Sequence, residues 1–414
     1  MKSPNILLSI VAAVTMTFGV STSSVYSQGS CAGDNNGDGL VNGVDLAQVL
    51  TDWGACGIPA PIISSVTPSF GPAAGGTAIT ILGSSLSTVT SVTIGGVAAT
   101  NVVVVSATVV TAVAPAGTGG AKNVVVITPN SSATAIGAFT YSSGLAWATV
   151  LEWIPNPTVA TNATLRAAIT ASGLPWRVLD NGTNIEMLLV PAGTFTMGCS
   201  ASTQYGCGSD ENPTHQVTLS AFYIGRYEVT QAQWTTKMGS NPSYFGGYSD
   251  SPSRPVEQVT WNMIASGSTS FMYLTGLRPP TEAEWEYAYR AGTTTAFHSY
   301  PAQPTGFNDD TLLGNIAWYN ANTGSQTHAV GGKLANGLGL HDMAGNVWEW
   351  CQDWYGPYSS GSVTNPTGPA TGSGRLLRGG GWNSYSGVCR ASERVGFAPG
   401  YVWADVGFRA VRNP

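Results

Sequence analysis

The sequence predicts a multidomain α+β chain, in which a small β-sandwich precedes a larger domain with little regular structure. Three observations carry this. At 414 residues the chain exceeds one ordinary domain. Between Pro59 and Tyr141 the composition turns to Val, Ile, Thr, Gly and Ala with almost no charge, whereas nine of the thirteen tryptophans lie beyond residue 230. Finally, 52 glycines and 24 prolines mark a chain of turns and short strands.

Only 9% of residues are charged and the net charge is −6, so no basic face offers itself to nucleic acid. The N-terminus carries Lys2, an apolar run from Ile6 to Val20, and small and polar residues ending at Ser27. This pattern predicts a signal peptide over residues 1–27 and a product that is secreted or held at the cell surface. The run is shorter than the roughly 20 apolar residues a membrane span needs, and no later segment is apolar enough to cross a bilayer. Six cysteines in an exported chain predict disulfides, although fifteen pairings exist. Proximity favours Cys31 with Cys56 and Cys199 with Cys207. Cys351 and Cys389 then remain for each other, or as free buried thiols.

Residues 28–57 hold a candidate cation loop. Asp34, Asn36, Asp38, Leu40, Asn42 and Asp45 stand at loop positions 1, 3, 5, 7, 9 and 12, with Gly39 at the sharp turn of position 6. Oxygen ligands in that order suit calcium. The segment resembles one half of a dockerin, with a disulfide-stapled spacer as the alternative.

From residue 58 to 141, Ile79–Ile81, Val92–Ile94, Val102–Val105 and Val124–Ile127 read as short strands about ten residues apart. Pro61 to Pro68, Gly71, Gly75-Gly76-Thr77, Gly83 and the closing Phe139-Thr140-Tyr141 resemble the IPT/TIG immunoglobulin-like domain. Lys122 is its one basic residue. It is expected to serve as an extracellular spacer or adhesion module. Residues 142–182 read as a linker with a short helix, capped at Thr161-Asn162 and running through Ile169.

The last domain, residues 183–414, contains the most informative segments. Gly345-Asn346-Val347-Trp348-Glu349-Trp350 interleaves aromatics with polar groups; Arg378-Gly379-Gly380-Gly381-Trp382 and Gly407-Phe408-Arg409 follow. Thr281 with Glu284 forms a capping box ahead of an aromatic-rich helix, so Glu282, Glu284 and Glu286 read as helix surface and cap. These segments resemble the formylglycine-generating enzymes, or sulfatase-modifying factors, whose fold is a C-type-lectin-like variant. The resemblance implies two structural calcium sites. One would use Asn346 and Glu349 by side chain and Gly345 or Val347 by carbonyl; the other would use Asn315 and the carbonyl of Ile316. It also implies a copper(I) site of two cysteines five residues apart, following the Gly-Gly-x-aromatic segment. Those positions are Ser384 and Cys389, one hydroxyl and one thiol, so copper is not expected.

His215, His298, His328 and His341 are widely spaced, and no Gly-x-Ser-x-Gly elbow, His-Glu-x-x-His pair or phosphate loop occurs. Arg375, Arg378, Arg390, Arg394 and Arg409 accompany Trp382, Tyr385, Phe397, Tyr401 and Trp403. Arginine beside aromatics suits a ligand face for an extracellular protein or glycan, centred on Trp382, Tyr385, Arg390, Tyr401 and Trp403. Arg378 and Arg409 are instead expected to be buried against acids such as Glu349 or Asp353. The expectation is an exported, non-catalytic binding protein; the alternative is an oxidase converting a sulfatase cysteine to formylglycine.

Overall fold

Alternating burial builds the first sheets. In the computed structural model, which describes residues 59–142, 144–199 and 205–414, strand β3 (Ala78–Ser84) turns Ile79 and Ile81 inward. Strand β7 (Val109–Val113) does the same with Val110 and Ala112, and β8 (Gly120–Ile127) with Val124 and Val126. One sheet orders β1 (Ile62–Thr67), β3, β7 and β6 (Thr100–Ser106). The other orders β2 (Phe70–Pro72), β9 (Ser132–Ser142), β8, β4 (Ser91–Ile94) and β5 (Val97–Ala98). Phe139 and Tyr141 close their shared core, and the Tyr141 hydroxyl donates to the Pro115 carbonyl at 2.7 Å. This is an immunoglobulin-like β-sandwich. The signal segment, the loop ligands Asp34, Asn36, Asp38, Leu40, Asn42 and Asp45, and Cys31 and Cys56 lie outside the described residues.

Residues 142–182 are more than a linker. Strand β10 (Ala148–Glu152) pairs with β11 (Arg177–Asp180) as the outer edge of a five-stranded sheet, which continues through β12 (Glu186–Val190) and β15 (Phe222–Gly225) to β23 (Val411–Arg412). Helix α1 (Ala163–Ser172) starts where Asn162 Oδ1 accepts the Leu165 N–H at 3.1 Å. The other end of that side chain donates to the Ala291 carbonyl at 3.1 Å, and Leu165, Ile169 and Trp176 enter the large core. A segment that buries this much apolar surface belongs to the domain.

Two further sheets complete the domain. One joins β13 (Gly193–Met197), β14 (His215–Leu219) and β19 (Val363–Thr364). The other joins β21 (Val395–Phe397), β20 (Arg375–Arg378), β18 (Trp348–Trp354) and β22 (Val406–Gly407). A two-stranded ladder links β16 (Ala317–Trp318) to β17 (Ala344–Gly345). Helices α2 (Gln231–Met238), α3 (Trp261–Ala265), α4 (Phe271–Thr275) and α5 (Glu282–Arg290) are short. Packing of Trp176, Trp234, Trp285 and Trp350, all fully buried, holds them together. Every residue of α5 is buried, so the reading of its three glutamates as surface is wrong. No helix among the described residues is long and apolar enough to cross a membrane.

Candidate functional site

Strand β18 is the meeting point of the three sequence segments: Glu349 sits opposite Arg378 of β20 on one side and Gly407 of β22 on the other. Just before it, Gly345 lies with φ +77°, and a Cβ there would come within 2.1 Å of the Trp318 carbonyl oxygen. Asn346, fully buried, donates to Glu228 Oε2 at 2.7 Å and accepts the His328 N–H at 2.9 Å. The Val347 N–H also reaches Glu228, at 3.1 Å. Glu349 is gripped by Arg409, with contacts of 2.7 to 2.9 Å, and by the Trp285 indole N–H at 2.8 Å.

These partners bear on the calcium sites implied by resemblance. Both Glu349 oxygens already face a guanidinium, and the Asn346 amide is fully engaged, so this donor set fits a loop closed by an ion pair better than a shell of oxygens around a cation. At the second position Asn315 donates to the Tyr300 hydroxyl at 3.2 Å, and Ile316 is buried in the core. Among the described residues no three His, Cys, Asp or Glu converge as ligands. The acid that sequence reading missed is Asp342, whose Oδ1 is buried with no hydrogen-bond partner among the described residues while Oδ2 accepts the Gly331 N–H at 2.6 Å. Burial, reinforced by Glu349, pushes it up to about 6.

At the oxidase positions, Ser384 Oγ accepts the Gly381 N–H at 2.9 Å and its backbone returns the bond at 2.9 Å, closing a tight turn. Cys389 ends a 3₁₀ turn (Ser386–Cys389), fully buried against Gly380, where an added Cβ would come within 2.9 Å of the sulfur. Burial pushes its thiol up to about 12. A soft copper(I) ion needs two thiolates, and this pair offers a committed hydroxyl and a protonated thiol: the residues do not fit it. Cys199 and Cys207 are bonded, but among the described residues Cys351 and Cys389 are both free and buried, against the expected pairing. Both lie in the large core, Cys351 inside β18 and Cys389 under Gly380.

The arginines are also placed otherwise than a ligand face requires. Arg390, expected on that face, is buried with its fork on Glu211 at 2.8 Å and a further contact to Glu393 at 2.6 Å. Arg394 holds Glu282 at 2.7 Å, and Arg375 lies between the rings of Trp261 and Trp354. Arg378 pairs with Glu286, and Arg409 with Glu349, as expected of buried arginines. In a domain with little regular structure, forked donors tie loop carbonyls that no ladder satisfies. The histidines serve likewise: His298 Nδ1 meets the Ser299 carbonyl oxygen at 2.8 Å, and His328 stacks on Trp318.

An open cleft of about 460 Å³ remains beside these segments, formed by Tyr244, Gln258, Trp382, Asn383, Trp403 and Asp405 among others. Trp382 donates its indole N–H to the Ala404 carbonyl at 2.9 Å, and Trp403 is 53% exposed. Tyr401 stacks on Phe397 at 4.2 Å next to the cleft, and Tyr385 stands 76% exposed outside its lining. Sequence reading missed Tyr244, Gln258 and Asp405. An acid directly after Trp403-Ala404 was the available signal for the last. A separate cleft of about 580 Å³ beside Trp261 and Tyr273 touches none of the three segments' exposed aromatics.

A β-sandwich joined to an aromatic-cored domain of short strands, with a Gly-Asn-x-Trp-Glu loop locked to a Gly-Phe-Arg terminus, defines a multidomain α+β protein with a formylglycine-generating-enzyme-like domain. Residues 177–414 match the sulfatase-modifying factor enzyme 1-like domain, and the chain belongs to that family; residues 61–141 match the IPT/TIG domain. The chaperone protein LppX of Paenibacillus barcinonensis is 32% identical, over 55% of this chain and 89% of its own length. The formylglycine-generating enzyme of Streptomyces coelicolor is 28% identical, over 54% and 88%. Among solved structures, Treponema denticola variable protein 1 is similar over 56% of this chain and 95% of its own, at 33% identity and a TM-score of 0.48.

Proposed function

We propose that this is an exported modular protein whose family domain has lost oxidase chemistry and acts in binding at or outside the cell surface. The observation that carries the reading is the pair at residues 384 and 389. Ser384 supplies no sulfur and uses its hydroxyl to close a turn, while Cys389 is buried with its thiol pushed up to about 12. Oxygen activation on copper at such a pair lacks the second soft ligand. The similarity to proteins named both chaperone and formylglycine-generating enzyme is consistent with a domain reused for different ends. The ligand reading attaches to the cleft at Trp382 and Trp403, for an extracellular protein or glycan, with the β-sandwich as spacer. Calcium, on this reading, belongs to the loop at residues 34–45, where Asp38→Ala would abolish its binding.

The test is direct. Purified chain is incubated with copper(I) and a sulfatase-derived cysteine peptide, and formylglycine is sought by mass spectrometry. No product and no tight copper(I) binding are expected; turnover that disappears in Cys389→Ala would overturn the proposal.

A further inference from the structure

The cleft beside Trp382 is electrically one-sided. Of the residues lining it, Asp405 alone carries a formal charge. Behind it Glu257, fully buried, accepts the backbone N–H groups of Tyr244 and Phe245 at 3.0 and 2.9 Å. Most other buried glutamates of the domain meet an arginine: Glu211 meets Arg390, Glu282 meets Arg394, Glu286 meets Arg378 and Glu349 meets Arg409. Glu257 and Asp405 have no ion-pair partner among the described residues. Arg254, nearest in sequence, is buried and committed to Asp250, Gln326 and the Thr327 carbonyl, with its guanidinium over the Tyr248 ring. Burial raises both acids above their ordinary values, Glu257 to about 7, with Asp405 adding to its rise. The fold supplies neither carboxylate with a counter-charge, so a cation arriving at this edge would favour their ionised forms.

The walls point the same way. Tyr244 is 70% exposed and Trp403 53% exposed, and Trp382 closes the third side. Aromatic faces attract an ammonium or guanidinium, and the Asp405 carboxyl in the lining of the same cleft supplies a counter-charge when ionised. A neutral sugar would use the rings but would leave the charge unmatched.

We propose that this cleft receives a cationic side chain, a lysine or arginine of a protein partner, with Tyr244, Trp382 and Trp403 around it and Asp405 as its counter-ion. The inference rests on the binding reading above and names its partner class. At about 460 Å³ the cleft also leaves room for the peptide flanking that side chain.

Tryptophan fluorescence of the full chain, titrated with a lysine–glycine decapeptide and with its glutamine–glycine counterpart, tests this. The lysine peptide is expected to bind at least about tenfold more tightly than the glutamine one, and Asp405→Asn or Trp403→Ala to cost about tenfold in its affinity. Unchanged melting of both variants establishes that they fold. Equal affinity for the two peptides, full affinity in Asp405→Asn, or no binding by either peptide would overturn the proposal. Trp403-dependent retention on a neutral glycan array without lysine preference would sink the cation while leaving the binding reading intact. Formylglycine production would sink the binding reading itself.

Discussion

Arg378 ties several segments of the domain together, and replacing it with methionine removes those constraints at once. It is fully buried, paired with Glu286, and donates to three successive carbonyls, Ala391 at 2.8 Å, Ser392 at 2.9 Å and Glu393 at 2.7 Å. Methionine fills similar space and stacks on Trp285, but it leaves those carbonyls without donors. Removing one partner of a buried pair costs about 3–5 kcal/mol, here moderated because Arg290 still holds Glu286. For a domain of this size each kcal/mol moves the midpoint by roughly 2–4 °C, so Arg378→Met should melt about 6–20 °C lower. Tryptophan fluorescence reports chiefly on this domain, because residues 61–141 contain no tryptophan and Trp53 is the one tryptophan before them. Arg378→Lys is expected to lose most of the same stability, since an ammonium cannot span three carbonyls and a carboxylate. A midpoint for Arg378→Met within about 2 °C of the parent would refute the argument that the fork, and not the core around it, holds this loop.

Three other outcomes follow from the same structure. Burial, reinforced by Glu282, pushes Asp353 up to about 8, so the folded chain keeps a proton that the unfolded chain loses at its ordinary 3.8. Its contribution is therefore present below about pH 4 and lost as the pH climbs through about 8; Asp353→Asn should match the parent in the acid and exceed it by at least about 1 kcal/mol at pH 8, measured by urea unfolding. Cys351 and Cys389, both raised by burial, should resist iodoacetamide at pH 8 in the native chain and label only after denaturation, as read by peptide mapping; a disulfide-linked peptide pair would contradict this. Asn162→Ala removes both the α1 cap and the bond to Ala291 and should cost about 1–2 kcal/mol in the fluorescence transition; a null effect would mean that residues 142–182 do not share the domain's cooperative unit.

Much of the architecture was legible in the sequence because its signals are local. The period-2 alternation of Ile79 and Ile81, the capping box at Thr281, and the aromatic–polar interleaving that begins at Gly345 each depend on residues a few positions apart. The absence of a second thiol at Ser384 was equally plain. Tertiary structure alone decided the partners. Glu282, Glu284 and Glu286 look like a solvated helix face until Arg394, Arg278 and Arg378, up to 112 residues away, are seen to bury them. Arg390 was withdrawn from the ligand face by Glu211, 179 residues earlier, and Cys351 and Cys389 were left unbonded, one inside strand β18 and the other under Gly380. Charge pairing and burial are properties of distances between segments, which a one-dimensional order does not contain; spacing along the chain gives the turns and strands, and only their packing determines which carboxylates, Glu257 and Asp405 among them, are left without a counter-charge.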